Sequence, residues 1–199
     1  MRLMSVLLLL VLGAGAAGCG GEPPPKPQPR SWDRDAVGYY CNMVVVEHEG
    51  PKAQIFLNGR ENPLWFTSVR DGIAFSRARD EPGRILAFYV NDMGRTEWER
   101  PSDTSWIDAE TAWYVIGSSR RGGMGMPEAV PFGDRERAAA FVRDYGGRVV
   151  AFEDIPDAYI FSTGEPEPVD RRGGGDGADD DPGTGSGMLR GGGDDDGRA

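Results

Sequence analysis

The chain has 199 residues and a formal net charge of -10. The acidic balance argues against a nucleic-acid-binding role, which depends on basic surface to meet phosphate. The length suits one ordinary domain or two very small ones once the low-complexity ends are set aside.

The N-terminus, "MRLMSVLLLLVLGAGAAGCG", has a positive start at Arg2, an apolar run from Leu3 to Leu12 and then small residues. That is the layout of a secretory signal, and the apolar run is too short for a membrane-spanning helix. The small residues lead to "AAGC", ending in Cys19, which looks like a bacterial lipobox. Residues 1–18 therefore read as a lipoprotein signal peptide, with lipid carried on Cys19. Several acyl chains together anchor where one does not. The alternative is an ordinary signal with a chance cysteine. Gly20, where an aspartate would mark inner-membrane retention, favours the outer membrane in a cell that has one. The expected location of the folded part is the periplasm.

Residues 19–31 form a proline-rich spacer, expected to be extended and semi-rigid. At the other end, the acidic, glycine-rich stretch assigned to 162–199 has almost no large apolar residues. From Gly164 onward it carries ten acidic residues and four arginines. Such a segment buries too little to offset its chain entropy and is read as disordered.

The folded part, 32–161, repeats itself. The first half, 32–92, offers strand-like "NMVVV" and "KAQIFL", a helix-like stretch opening on Thr67 or Ser68, then Gly83 and "GRILAFYV". The second half, 93–161, opens on a polar link, "NDMGRTEWERPSDTSWIDAE". It continues with "TAWYVIG", "EAVPF", a helix capped by Asp134, then Gly147 and "GRVVAFEDI". The pattern predicts an α+β fold of two similar strand-strand-helix-strand modules. Each is small for a core of its own, so they should pack on each other or be loosely joined with a site between them.

"GYYCNMVVVEHEG" concentrates the soft donors. With Cys19 lipidated, Cys41 has no partner in the chain, and a lone exported thiol is either buried and inert or kept for chemistry. On a strand, Cys41 and Met43 would face the same way, presenting a thiolate and a thioether suited to Cu(I). His48 follows across a turn, and imidazole also suits copper. Zinc fits less well, since a structural site needs four Cys or His ligands. Met124, in the glycine-rich loop "RRGGMGMPEAV", could complete a site begun by Cys41 and Met43, whereas Met126 reads as packing. Each residue also has an unremarkable reading: Cys41 and Met43 as strand core, His48 as a surface side chain. A non-metal docking module therefore stays open at this point. Catalysis is not expected, because a histidine-based triad would have His48 alone to work with.

"YYCNMVVVEHEGPKAQIFLNG", "AFYVND", "SWIDAETAWYVIGSS", "GGMGMPEAVPF" and "AAAFVRDYGGRVVAFEDI" together resemble the NosL family over about residues 39–155. The resemblance implies a lipid-anchored copper chaperone, not an enzyme, of two strand-strand-helix-strand modules. It implies Cu(I) delivery for assembly of the copper-sulfur centre of nitrous oxide reductase, with an ABC-type maturation complex as further partner. A different exported client, such as an oxidase, is the alternative. The family's Cys-x-Met pair falls on Cys41 and Met43, and its Met-Gly motif on Met124-Gly125. Asn42 stands where the family commonly has glycine. On a strand its side chain would point away from the ligands.

Overall fold

The computed structural model describes residues 25–78 and 83–162. The signal peptide, Cys19 and the acidic tail after residue 162 lie outside the described residues. Among those described, no helix is long and apolar enough to cross a membrane.

The first half builds β1 (Ala53–Leu57), β2 (Leu64–Phe66), α1 (Val69–Arg77) and β3 (Ile85–Asn91). The second builds β5 (Trp113–Ile116), β6 (Val130–Phe132), α2 (Arg135–Tyr145) and β7 (Arg148–Ala151), and α3 (Asp157–Phe161) closes the described chain. Within each half the first strand is central, flanked by the other two, and every pairing is antiparallel. The repeat read from sequence is thus a repeat of topology.

Both helices start where side-chain oxygens can take the free N–H groups of the first turn. Ser68 accepts from Asp71, and Asp134 accepts from Glu136 and Arg137. Gly72 in α1 permits close approach to the sheet: a Cβ there would come within 2.9 Å of the Ala53 Cβ.

The two modules share one core. Ala53, Ile55 and Leu57 from β1, Val69 and Ile73 from α1, Tyr114 and Ile116 from β5, and Ile160 from α3 form one apolar cluster. The alternate residues of β5, Trp113 and Val115, face a second cluster with Phe132 and Phe141. β5 is therefore covered on both sides, which is why its pattern is nearly all apolar. Of the two arrangements expected from sequence, packed halves are the one found.

Three features differ from the sequence expectation. "NMVVV" is not a strand: Val37 and Val44 form a single bridge, followed by a 3-10 turn at Val45–Glu47. The two strands ahead of α1 are instead β1 and the short β2. The polar link contains a strand of its own, β4 (Trp106–Asp108), which extends the first sheet beside β3. Finally, the last residues of the spacer are docked on the outer face of that sheet. Arg30 exchanges two hydrogen bonds with buried Gln54, each 2.9 Å, the Tyr89 hydroxyl donates to the Pro27 carbonyl, and Trp32 meets Trp65 and Trp106 edge-on. Phe56 and Tyr89 gain cover there that a solvated spacer would not give.

Candidate metal centre

The Cys-x-Met segment is a tight loop. The Gly38 N–H donates to the Met43 carbonyl and the Asn42 N–H to the Gly38 carbonyl, both at 2.8 Å. Closing it requires Asn42 at φ 54°, the only non-glycine residue with positive φ among those described. Asparagine tolerates this left-handed region better than other non-glycine residues, with glycine better still. The expectation that Asn42 lies on a strand and merely points its side chain away from the ligands is corrected here. Its backbone sets the turn between the two sulfurs.

The loop is clamped on α1's end of the first module. Tyr39 donates its N–H to the Trp65 carbonyl at 2.7 Å, and the rings of Tyr39 and Tyr40 lie against Phe66 and Phe75. Cys41 is half-buried, its Sγ 3.3 Å from the Thr67 hydroxyl, at the entry to α1. Met43 is exposed, as are Val37 and Val46 in the same segment. The picture of Cys41 and Met43 as strand core does not hold.

Met124 lies on a second tight loop. Arg121 and Pro127 bridge its base, Gly122 donates to the Met126 carbonyl, and Gly125 at φ 76° turns the chain. Just before it, the Arg120 guanidinium is stacked between Trp98 and Tyr145. The two sulfur-bearing motifs thus share a construction: Cys41-Asn42-Met43 and Met124-Gly125-Met126 each turn on a left-handed middle residue. Met124 is exposed.

His48 joins the loops. Its Nδ1 is 3.3 Å from the Gly123 carbonyl, and a Cβ on Gly123 would lie 2.6 Å from the His48 Cβ. The carbonyl can only accept, so Nδ1 is the donor, and in the neutral ring Nε2 is then the nitrogen with a free lone pair. This is the tautomer a metal-ligating histidine needs, held by a backbone carbonyl. Nε2 is buried and has no hydrogen-bond partner among the described residues. A buried acceptor left without a donor is costly, and a bound cation would satisfy it. The structure therefore brings His48 to the Met124 loop, while Cys41 rests on Thr67.

Among the described residues no three His, Cys, Asp or Glu side chains form a group able to hold a metal ion. The remaining donors are one thiol, one imidazole and the exposed thioethers Met43 and Met124. That mixture is soft and suits Cu(I).

Two buried charges under the loops escaped sequence reasoning. Lys52 and Glu128 are each about 1% exposed. The Lys52 Nζ donates to the carbonyls of Glu49 at 2.9 Å and Gly50 at 2.6 Å, holding the turn that follows His48. Burial pushes its ammonium down to about 8, partly offset by Glu128 and Glu49. Burial also pushes the Glu128 carboxyl up to about 7, against the hydrogen bonds it accepts. The sequence signal was a single charge set within an apolar run, "KAQIFL" and "EAVPF".

Comparison with known proteins bears on this arrangement. The NosL family profile matches residues 29–160. A copper-binding lipoprotein NosL of Achromobacter cycloclastes is 53% identical over 133 residues, covering 66% of this chain and 69% of that protein. A protein of the same description from Stutzerimonas stutzeri is 34% identical over 122 residues, covering 61% of this chain and 63% of that protein. The crystal structure of the copper chaperone NosL from Shewanella denitrificans matches with a TM-score of 0.61 at 31% identity, over 66% of this chain and 99% of that one.

Proposed function

The chain belongs to the NosL family, and on that premise we propose that it is a lipid-anchored Cu(I) carrier of the cell envelope. Cys41 binds the ion as thiolate and Met43 as thioether, with His48 and Met124 as the further ligands. Lipid on Cys19 holds the carrier at the membrane, with the folded part in the periplasm. The copper serves assembly of the copper-sulfur centre of nitrous oxide reductase, in concert with an ABC-type membrane complex. That assignment rests on the family resemblance and its order of motifs.

One observation carries the metal reading. His48 sits against the Met124 loop with its Nε2 buried and unpartnered, which joins the segment holding Cys41 and Met43 to the loop holding Met124. The half-exposed thiol and exposed thioethers suit ligand exchange with a recipient. A carrier needs few ligands and an accessible ion, and no catalytic step is required of it.

Anaerobic Cu(I) titration against a competing chelator tests this, using the protein without residues 1–19. Wild type should compete for copper and Cys41→Ser should not. Absence of binding by the wild type would reject the carrier reading.

A further inference from the structure

Beneath the two loops lies a carboxyl group that none of the ligand roles uses. Glu128 follows the Met124 loop and enters β6. Its Oε1 accepts the backbone N–H groups of Arg70 and Ala129, both at 2.9 Å. Arg70 is the second residue of α1, so a side chain of the second module caps the helix of the first. Thr67, which meets Cys41, immediately precedes that helix's N-cap. The other oxygen, Oε2, is buried without a hydrogen-bond partner among the described residues. It faces Gly122: a Cβ there would lie 2.6 Å from it. One carboxyl group therefore touches both the helix end beside Cys41 and the root of the loop that carries Met124.

We propose that Glu128 is a positioning residue for the copper site, holding the Met124 loop against the N-terminus of α1 so that donors from the two modules meet at one ion. This rests on the copper-carrier reading above. The charged and titratable groups facing Glu128 are Lys52 ahead of β1, Asp71 on α1 and Tyr159 on α3, whose hydroxyl donates to the Glu128 carbonyl. An ionised carboxylate accepts the two N–H groups more strongly than a neutral acid does. Burial sets the carboxyl's titration at about 7. The two hydrogen bonds are therefore strongest above that pH and weaken below it, even though the buried charge costs the fold stability above it.

The test uses the full chain in detergent, with Cu(I) affinity by chelator competition at pH 6, 7 and 8 and melting temperature measured alongside. Glu128→Gln keeps an oxygen for the two N–H groups but removes the charge. Gly122→Ala pushes a methyl group onto Oε2 at a backbone position that is not left-handed. Residues that orient ligands without binding metal are worth about 10–100-fold in affinity, so each variant should bind about tenfold more weakly at pH 8. For Glu128→Gln the gap should close toward pH 6, where the wild-type group is itself neutral. If Gly122→Ala fails to fold, the pH profile of Glu128→Gln decides alone. Equal affinities at every pH, with only the melting temperature lowered, would overturn the proposal and leave Glu128 a structural residue. A wild type that does not bind copper would sink the carrier reading itself, and this inference with it.

Discussion

Asn42 has a backbone conformation that most side chains resist, and it has it between two sulfur donors. Relieving the strain and removing the tolerance should act in opposite directions. Asn42→Gly should leave stability unchanged or raise it slightly, while Asn42→Ala should cost about 1 kcal/mol in chemical denaturation. Equal midpoints for the two would show that the turn is not held left-handed in solution. Cys41 offers a second check at this scale. Its half-buried thiol should react with an alkylating reagent in the apo protein and be protected by Cu(I). A thiol inert in both states would place Cys41 in the core.

At the scale of elements, what could be read from sequence follows from how much signal each element carries. The helix starts at Ser68 and Asp134 were legible because a capping oxygen and a 3.6-residue period coincide there. β2 and β4 are three residues each, too short to show alternation. "NMVVV" misled for the opposite reason. Its valines are apolar enough for a strand, but Val45 is fully buried, Val46 is 49% exposed and Asn42 turns the chain before them. The donors were legible as residue types, whereas their arrangement was not. The meeting of His48 with Gly123 spans 75 positions and depends on module packing that no local pattern encodes. The packing of α1 is itself testable. Gly72→Ala improves helix propensity, yet it drives a methyl group to 2.9 Å from Ala53 and 3.2 Å from the Phe88 ring. Overpacking of this kind costs about 1–3 kcal/mol, more than the propensity gain, so the urea midpoint should fall.

For the whole molecule, two buried charges shape stability against pH. Glu128 has a raised pKa, so between about 4.5 and about 7 the folded protein holds a proton that the unfolded chain has lost. Its contribution worsens as pH rises through that window and is fully unfavourable, by about 3 kcal/mol, above it. Lys52 is lowered from 10.5 to about 8, so its penalty is complete below 8 and relieved toward 10.5. From these two groups alone, the apo protein should be least stable between about 7 and 8. Chemical denaturation across pH 5 to 10 should show that minimum, and Glu128→Gln should flatten its acidic side. The same molecule has a short leash. Residues 26–32 lie along the first sheet rather than in solvent, through Gln54, Tyr89 and Trp106. With lipid on Cys19 as proposed, about seven residues separate the anchor from the docked Lys26, a reach of at most about 25 Å. The carrier would patrol a thin layer over the bilayer, where a membrane-bound recipient is met at high effective concentration. Releasing Lys26, Pro27 and Arg30 together, with Asp108→Ala, Tyr89→Phe and Gln54→Leu, should lengthen that leash and dilute the encounter without altering a single copper donor.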